Sequence, residues 1–208
     1  MLGPTIDETW LHFGCVDITP RMKVRFRLND PHIVVIEGVL SNTECQLITE
    51  MYSDLAVPAG YHVANGVQTQ DQRRTAKAFN IDPCTPISKV LQERLSSLTM
   101  WPTAMMEHLN FVRYERDDYI DAHHDFFGPN NRPADGHQRV ATALLYLDDA
   151  EGSKTVFTEL GLTIEPKVGS MVFFAYPGED VRLRHESPAL VGPHKHVLVQ
   201  WFTDAVIF

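Results

Sequence analysis

Hydrophobic and polar positions along the chain fall into two regimes that meet near residue 107. In the first, apolar side chains return at helical spacing. Ser41, with Glu44 three residues on, makes a capping box, and Leu47, Ile48, Met51, Tyr52 and Leu55 then recur every three or four positions. A second amphipathic helix is expected from Thr85 to Leu98, with Ile87, Val90, Leu91 and Leu95 on one face. Two strands precede these helices. From Arg21 to Leu28, four basic residues alternate with Met22, Val24, Phe26 and Leu28, the period of a half-buried strand with a solvated basic face. Ile33–Ile36 reads as a short β-branched strand ended by Glu37-Gly38. Between the helices, Pro58–Arg74 carries Gly60 and Gly66 and no period, so a long loop is expected, suited to a lid or binding element.

From His108 onward the pattern is that of strands. Apolar and β-branched runs at His108–Tyr114, Arg139–Leu147, Lys154–Phe157, Ser170–Ala175, Val181–His185 and Val197–Phe202 are separated by segments rich in Gly and Pro. Two helices followed by many strands imply an α+β, mainly β fold: a double-stranded β-helix, or jelly roll, with the N-terminal helices packed on one outer face. The expected organisation is one domain over 1–208. Within it, 1–30 forms an extension and strand, 31–107 a helical support, and 108–208 the jelly-roll core. No internal repeat or low-complexity tract interrupts it.

Composition narrows the picture. An apolar content of 44% suffices for one core, and no run of apolar residues approaches the ~20 that a membrane span needs. The opening MLGPTIDETW has neither a basic start nor an apolar signal core, so a soluble, cytoplasmic protein without a membrane partner is expected. Cys15, Cys45 and Cys84 lack CxxC spacing and are read as buried packing residues in a reducing compartment. A formal net charge of -9 disfavours nucleic acid as a partner, because a phosphate backbone calls for an excess of Lys and Arg.

Candidate chemistry centres on His123 and Asp125. On an extended chain, positions i and i+2 point to one face, so an imidazole and a carboxylate can converge on one metal ion while His124 points away. His185, at the end of the strand expected over Val181–His185, is the candidate third ligand. Two imidazoles and a carboxylate make the facial set of non-haem Fe(II) oxygenases, with coordination positions left open. Lys195 follows ten positions later, and Trp201 six beyond it on the same strand. If the strands of His185 and Lys195 are antiparallel neighbours, the ammonium can pair with the far carboxylate of a dicarboxylate held at the metal. Positions 195, 197, 199 and 201 would then share the inner face, leaving His194 and His196 on the outer one.

These residues sit in longer strings that resemble the prolyl 4-hydroxylase family of 2-oxoglutarate/Fe(II)-dependent dioxygenases. Tyr114-Glu-Arg-Asp-Asp-Tyr-Ile-Asp-Ala-His123-His-Asp125-Phe-Phe is similar to the family's iron-binding segment, its leading tyrosine nine positions before the histidine. Arg139-Val-Ala-Thr142-Ala-Leu-Leu-Tyr146, Gly152-Ser-Lys-Thr155-Val-Phe157, Pro166-Lys-Val-Gly169 and His185…Gly192-Pro-His-Lys195…Trp201 continue the register. The likeness is dense from Tyr114 to Phe202 and weaker back to Ser41. Departures are Asp117 in place of a glycine, Tyr119 one position early, Gly-Ser-Lys in place of Gly-Gly-Glu, and Ser187-Pro188 in place of Gly-x-Pro.

The resemblance implies Fe(II) held by His123, Asp125 and His185, with 2-oxoglutarate and O2 as co-substrates and ascorbate as a candidate reductant. It also implies that Lys195 binds the 5-carboxylate, that Tyr114 and Thr155 help to hold it, and that Trp201 lines the pocket. A carboxylate at Asp125 favours hydroxylation over halogenation, for which related enzymes have a small residue there. The implied substrate is proline in a peptide or protein, with release of succinate and CO2. A free amino acid or other small molecule is the alternative, and a non-catalytic metal-binding β-barrel a third reading. Arg139 is open between an ion-pair partner at the core rim and a substrate contact.

Overall fold

The computed structural model describes residues 3–6, 22–58, 60–62, 68–70, 73–129, 131–150 and 152–207. In chain order the elements begin with β1 (Lys23–Leu28), β2 (His32–Glu37), α1 (Asn42–Tyr52), β3 (Val57–Pro58), β4 (Gly60–His62), β5 (Gln68–Gln70), β6 (Lys77–Asn80) and α2 (Pro86–Thr99). They continue with β7 (Asn110–Glu115), β8 (Ile120–His123), β9 (Arg139–Tyr146), β10 (Thr155–Phe157), β11 (Leu162–Ile164), β12 (Met171–Ala175), β13 (His185–Ser187) and β14 (His194–Thr203). An eight-stranded sheet runs β1-β2-β12-β9-β14-β7-β6-β3, a four-stranded sheet runs β11-β10-β13-β8, and β4 with β5 forms a hairpin. All the named strand pairs are antiparallel.

The central strands of the large sheet are buried on both faces, which is why they read as nearly unbroken apolar runs. On the outer face, Ala143, Leu145, Phe173 and Leu198 pack against Ile48 of α1 and Leu95 of α2. On the inner face, Leu144, Tyr146, Val172, Phe174, Val197 and Val199 pack against Phe157 and Leu183 beneath the small sheet. The two lists alternate residue by residue, as strand geometry requires.

The helices form where the capping signals place them. Ser41 Oγ accepts from Glu44 N at 3.2 Å and the Glu44 carboxylate accepts from Ser41 N at 2.8 Å, while Arg94 of α2 reaches that carboxylate at 2.6 Å. Cys45, Ile48 and Tyr52 are the buried positions of α1, whereas Leu47, Met51 and Leu55 are about half exposed. Among the described residues no helix is long and apolar enough to cross a membrane.

The structure corrects several local readings. β1 does not keep one apolar face inward, because a bulge between Val24 and Phe26 reverses the alternation. Val24 therefore packs on the helix side, Leu28 on the inter-sheet side, and Phe26 is 38% exposed. Val181–Leu183 is a 3-10 turn, with Asp180 Oδ1 accepting from Arg182 N, and His185 opens a strand instead of ending one. The loop expected over Pro58–Arg74 contains the β4–β5 hairpin, with residues 59, 63–67 and 71–72 outside the described set. Cys45 is buried but Cys84 is exposed, and Cys15 and Arg21 lie outside the described residues.

Gly169 carries a positional constraint. Its φ is +72°, and a Cβ there would collide with the carbonyl oxygen of Leu40. Its own carbonyl accepts from Leu40 N at 3.0 Å and its N–H donates to Tyr146 O at 2.9 Å, tying the entry of α1 to β9. Gly169→Ala combines an unfavourable φ with a backbone clash. It is expected to lower unfolding free energy by about 2 kcal/mol or more. Chemical denaturation should show this as a lower midpoint, and a change under about 0.5 kcal/mol contradicts it.

Candidate metal centre

β13 and β8 pair so that His185 lies opposite His123, with ring centroids 4.4 Å apart. Asp125 lies two residues beyond the end of β8 and projects to the same side. Its Oδ1 is 3.6 Å from His123 Nε2 and its Oδ2 is 3.7 Å from His185 Nε2. The three donor atoms all fall within 4.8 Å of one another.

Hydrogen bonding selects the ring nitrogens that face the cluster. His123 Nδ1 is 2.9 Å from Asp121 O and His185 Nδ1 is 3.1 Å from Leu183 O. A carbonyl only accepts, so each Nδ1 carries the proton and each Nε2 keeps its lone pair for a metal. Burial, and then the neighbouring His123, pull His185 down to about 4, so its imidazole is neutral at physiological pH. Burial alone would raise Asp125, but His185, His123, Arg139 and the Thr142 hydroxyl together hold it at about 2. With the Asp125 carboxylate ionised and the His185 imidazole neutral, the three side chains make a donor set suited to a divalent cation with positions to spare.

Sequence reasoning missed the groups that fix Asp125. Thr142 Oγ1 donates to Asp125 Oδ2 at 2.7 Å and is itself 2.9 Å from Tyr176 OH, which must be the donor since the threonine proton is already committed. Thr142, Leu144 and Tyr146 occupy alternate positions of β9, so strand parity was the signal that could have placed Thr142 on the inner face.

Lys195 lies in the same inter-sheet layer but not on a strand adjacent to His185, as the sequence reading had supposed. β14 pairs with β7 and β9, whereas β13 belongs to the facing sheet. The ammonium crosses the layer, donating to Ser187 Oγ at 3.0 Å, and sits 4.7 Å from the ring centre of Tyr114, its direct cross-strand partner. Ser187 is two positions from His185 on β13, so the ammonium meets that strand about 7 Å along from His185. Tyr146 OH donates to Thr155 Oγ1 at 2.7 Å and its ring centre is 6.0 Å from the Lys195 ammonium. Ser187 and Tyr146 therefore lie beside the Lys195 ammonium, and the sequence reading assigned them no role.

Lys195 is 2% exposed, and among the described residues no carboxylate lies within ion-pairing distance of it. Burial pulls its ammonium down to about 8, partly opposed by Asp148. Protonated in both the folded and unfolded chain below that pH, the group costs roughly 3 kcal/mol of stability at neutral pH. The cost fades as pH rises from about 8 to the ordinary lysine value. A buried cation without a counter-charge calls for an anionic ligand, and the metal donors with this ammonium fit a dicarboxylate bridging the two.

Trp201 faces inward, directly opposite Thr142. Its ring carries the Arg139 guanidinium at 3.7 Å, with Phe127 on the other side at 4.6 Å. Arg139 also makes two bonds to Glu107, at 2.6 and 2.7 Å, so its charge is matched. The loop after Asp125 is closed at its neck: Gln138 Oε1 accepts from Phe127 N and Gln138 Nε2 donates to Phe127 O, at 2.8 and 2.9 Å. His196 turns to the other face, as expected, but is buried there, with Nδ1 2.7 Å from Asp148 Oδ2 and its ring stacked on Phe111. His194 is exposed.

Comparison with known proteins gives a consistent picture. Residues 109–203 match the family described as the 2OG-Fe(II) oxygenase superfamily. Prolyl 4-hydroxylase 2 of Arabidopsis thaliana is 30% identical over 176 residues, covering 73% of this chain. The chain spans 59% of the length of that curated relative. Among solved structures, the viral collagen prolyl hydroxylase of Paramecium Bursaria Chlorella virus-1, in its 2OG complex, superposes with a TM-score of 0.63. It has 21% identity and covers 83% of this chain and 96% of that one. A prolyl hydroxylase from Trichoplax adhaerens, in complex with a hypoxia inducible factor peptide fragment, gives a TM-score of 0.57. Its identity is 18%, over 85% of this chain and 86% of that one. At these identities the structural likeness is one of fold.

The donor set leads to a direct expectation. Anaerobic titration with Fe(II) or Co(II) should give one bound ion per chain, and Ala at His123, Asp125 or His185 should weaken binding at least a hundredfold. Equal affinity in all three variants would place the metal elsewhere.

Proposed function

The chain belongs to the 2OG-Fe(II) oxygenase superfamily, and from that premise we propose that it hydroxylates C4 of proline within a peptide or protein. In this reading His123, Asp125 and His185 hold Fe(II), and Lys195 receives the distal carboxylate of 2-oxoglutarate, with Tyr114, Ser187 and the Tyr146–Thr155 pair around it. The observation that carries the proposal is the buried, uncompensated Lys195 ammonium in one layer with the three metal donors. When bound, the iron and 2-oxoglutarate together activate O2, inserting one oxygen atom into a C–H bond and releasing succinate and CO2.

The chain's own residues do the positioning. Thr142 and Tyr176 orient the Asp125 carboxylate, Val197 and Val199 keep the inter-sheet layer apolar, and Arg139 holds the Trp201 ring face on. A peptide suits this site better than a free amino acid, because Arg139 is already neutralised by Glu107 and is not available to a substrate carboxylate. The buried Trp201 Nε1–H lacks a protein acceptor among the described residues, which suits a neutral peptide carbonyl. The relatives' names support proline as the residue modified. The free thiols Cys45, pushed up to about 11 by burial, and Cys84 support a cytoplasmic setting. Ascorbate as auxiliary reductant, and 108–208 as the catalytic core of a single domain, complete the proposal.

Two measurements test it. With proline-rich peptides, succinate release should be coupled to a mass gain of one oxygen, and NMR should place the hydroxyl at C4. Coupled turnover of free proline, pipecolate or lysine with none of any peptide would assign a small-molecule substrate instead. The apparent KM for 2-oxoglutarate should rise about tenfold between pH 7 and pH 9, as the Lys195 ammonium, at about 8, loses its proton. A flat KM over that range would show that another group holds the distal carboxylate.

A further inference from the structure

The geometry points to His124, the residue between the two ligands of the HxD segment, as a positioning residue for the backbone of Asp125. The need arises because β8 ends at His123. His123 is held by pairing with His185, but Asp125 follows the strand's end, so no ladder fixes its backbone.

His124 is the first residue past the end of β8, and it is neither free nor fully exposed. Its Nε2 lies 2.8 Å from the Asp180 carbonyl oxygen and its Nδ1 lies 2.9 Å from the Phe126 backbone nitrogen. The carbonyl only accepts and the backbone N–H only donates. Both bonds together therefore demand one neutral tautomer, with the proton on Nε2 and the lone pair on Nδ1.

Each bond does a separate task. Phe126 N–H to Nδ1 closes a tight turn around Asp125. Nε2–H to Asp180 ties that turn to the segment leading, through the 3-10 turn Val181–Leu183, to His185. Asp180 is itself anchored: Arg182 binds its carboxylate at 2.7 and 3.0 Å and extends to Asp30 at 2.8 Å. The His124 ring meets Tyr176 edge on, with centroids 5.4 Å apart, and Tyr176 is the hydroxyl that fixes Thr142 on Asp125. One side chain thus staples the two ligand-bearing segments and buttresses the group that orients the carboxylate.

This inference rests on the metal-centre reading, and the test separates the two. Co(II) binding to the apo chain is measured by calorimetry for the parent, His124→Phe and His124→Asn. The Phe variant keeps the ring contacts and loses both hydrogen bonds. The Asn variant keeps a local acceptor for Phe126 N–H but falls short of Asp180. The dissociation constant is expected to weaken about 10- to 100-fold in His124→Phe and by an intermediate factor in His124→Asn. The KM for 2-oxoglutarate at saturating Fe(II) should stay unchanged, because the Lys195 end is untouched; a merely structural lesion would move both. Affinity within twofold of the parent in His124→Phe overturns the inference. If that variant does not fold, affinity within twofold in His124→Asn overturns it. Failure of the parent itself to bind Co(II) overturns the metal centre, and the inference with it.

Discussion

The arrangement depends on the parity of one strand. β14 is ten residues long and buried on both faces, so its odd positions from Lys195 to Trp201 must line the layer between the sheets while its even positions meet the helices. A slip of one residue would exchange every partner. It would carry Lys195 to the Asp148 side and bring His196 toward Ser187, and no single contact could compensate. Two locks hold the parity: Asp148 Oδ2 accepts from both the backbone nitrogen and Nδ1 of His196, and Lys195 reaches Ser187 across the layer. The chemistry of the pocket is a consequence of strand register.

Burial then sets the electrostatics. The inter-sheet layer is apolar enough to depress a lysine to about 8 and a histidine to about 4, yet Asp125 stays ionised, with the Arg139 guanidinium and the Thr142 hydroxyl favouring its charged form. The outcome is one carboxylate among the metal donors and an unmatched ammonium in the same inter-sheet layer. Such an arrangement is unstable by itself and is relieved by a cation at one end and an anion at the other. Folding strain and ligand affinity are here the same free energy seen from two sides.

Much of this was legible in the sequence because it is carried by periodicity and by local pattern. Both helices, the antiparallel β half and the convergence of His123 with Asp125 follow from spacing alone, and Lys195 and Trp201 share a face by parity. What was not legible depends on non-local pairing. The bulge near Arg25 reverses β1 without any Gly or Pro to announce it. Ser187 looks like a turn residue before Pro188, and its contact with Lys195 arises only once the two sheets face each other. His196 reads as an outer-face polar residue, but that face lies under the helical layer, where Asp148 supplies its partner. The tautomer of His124 is invisible in any one-dimensional pattern, since one of its partners is 56 positions away.

The reciprocal amide bonds between Gln138 and Phe127 have a consequence for how such a scaffold diversifies. They close the loop at its base, and Gln138 also anchors to the end of the last strand, its N–H donating to Asp204 Oδ1 at 2.8 Å. The chain between these two residues is therefore a cassette tied to the barrel near its neck, where His137 lies 3.6 Å from Glu107 and Arg132 lies 3.6 Å from Asp204. Doubling such a loop costs only about 0.6 kcal/mol of closure entropy. Insertions there can be sampled by mutation with little penalty to the metal donors, so the specificity-bearing segment can drift while the reactive centre stays fixed.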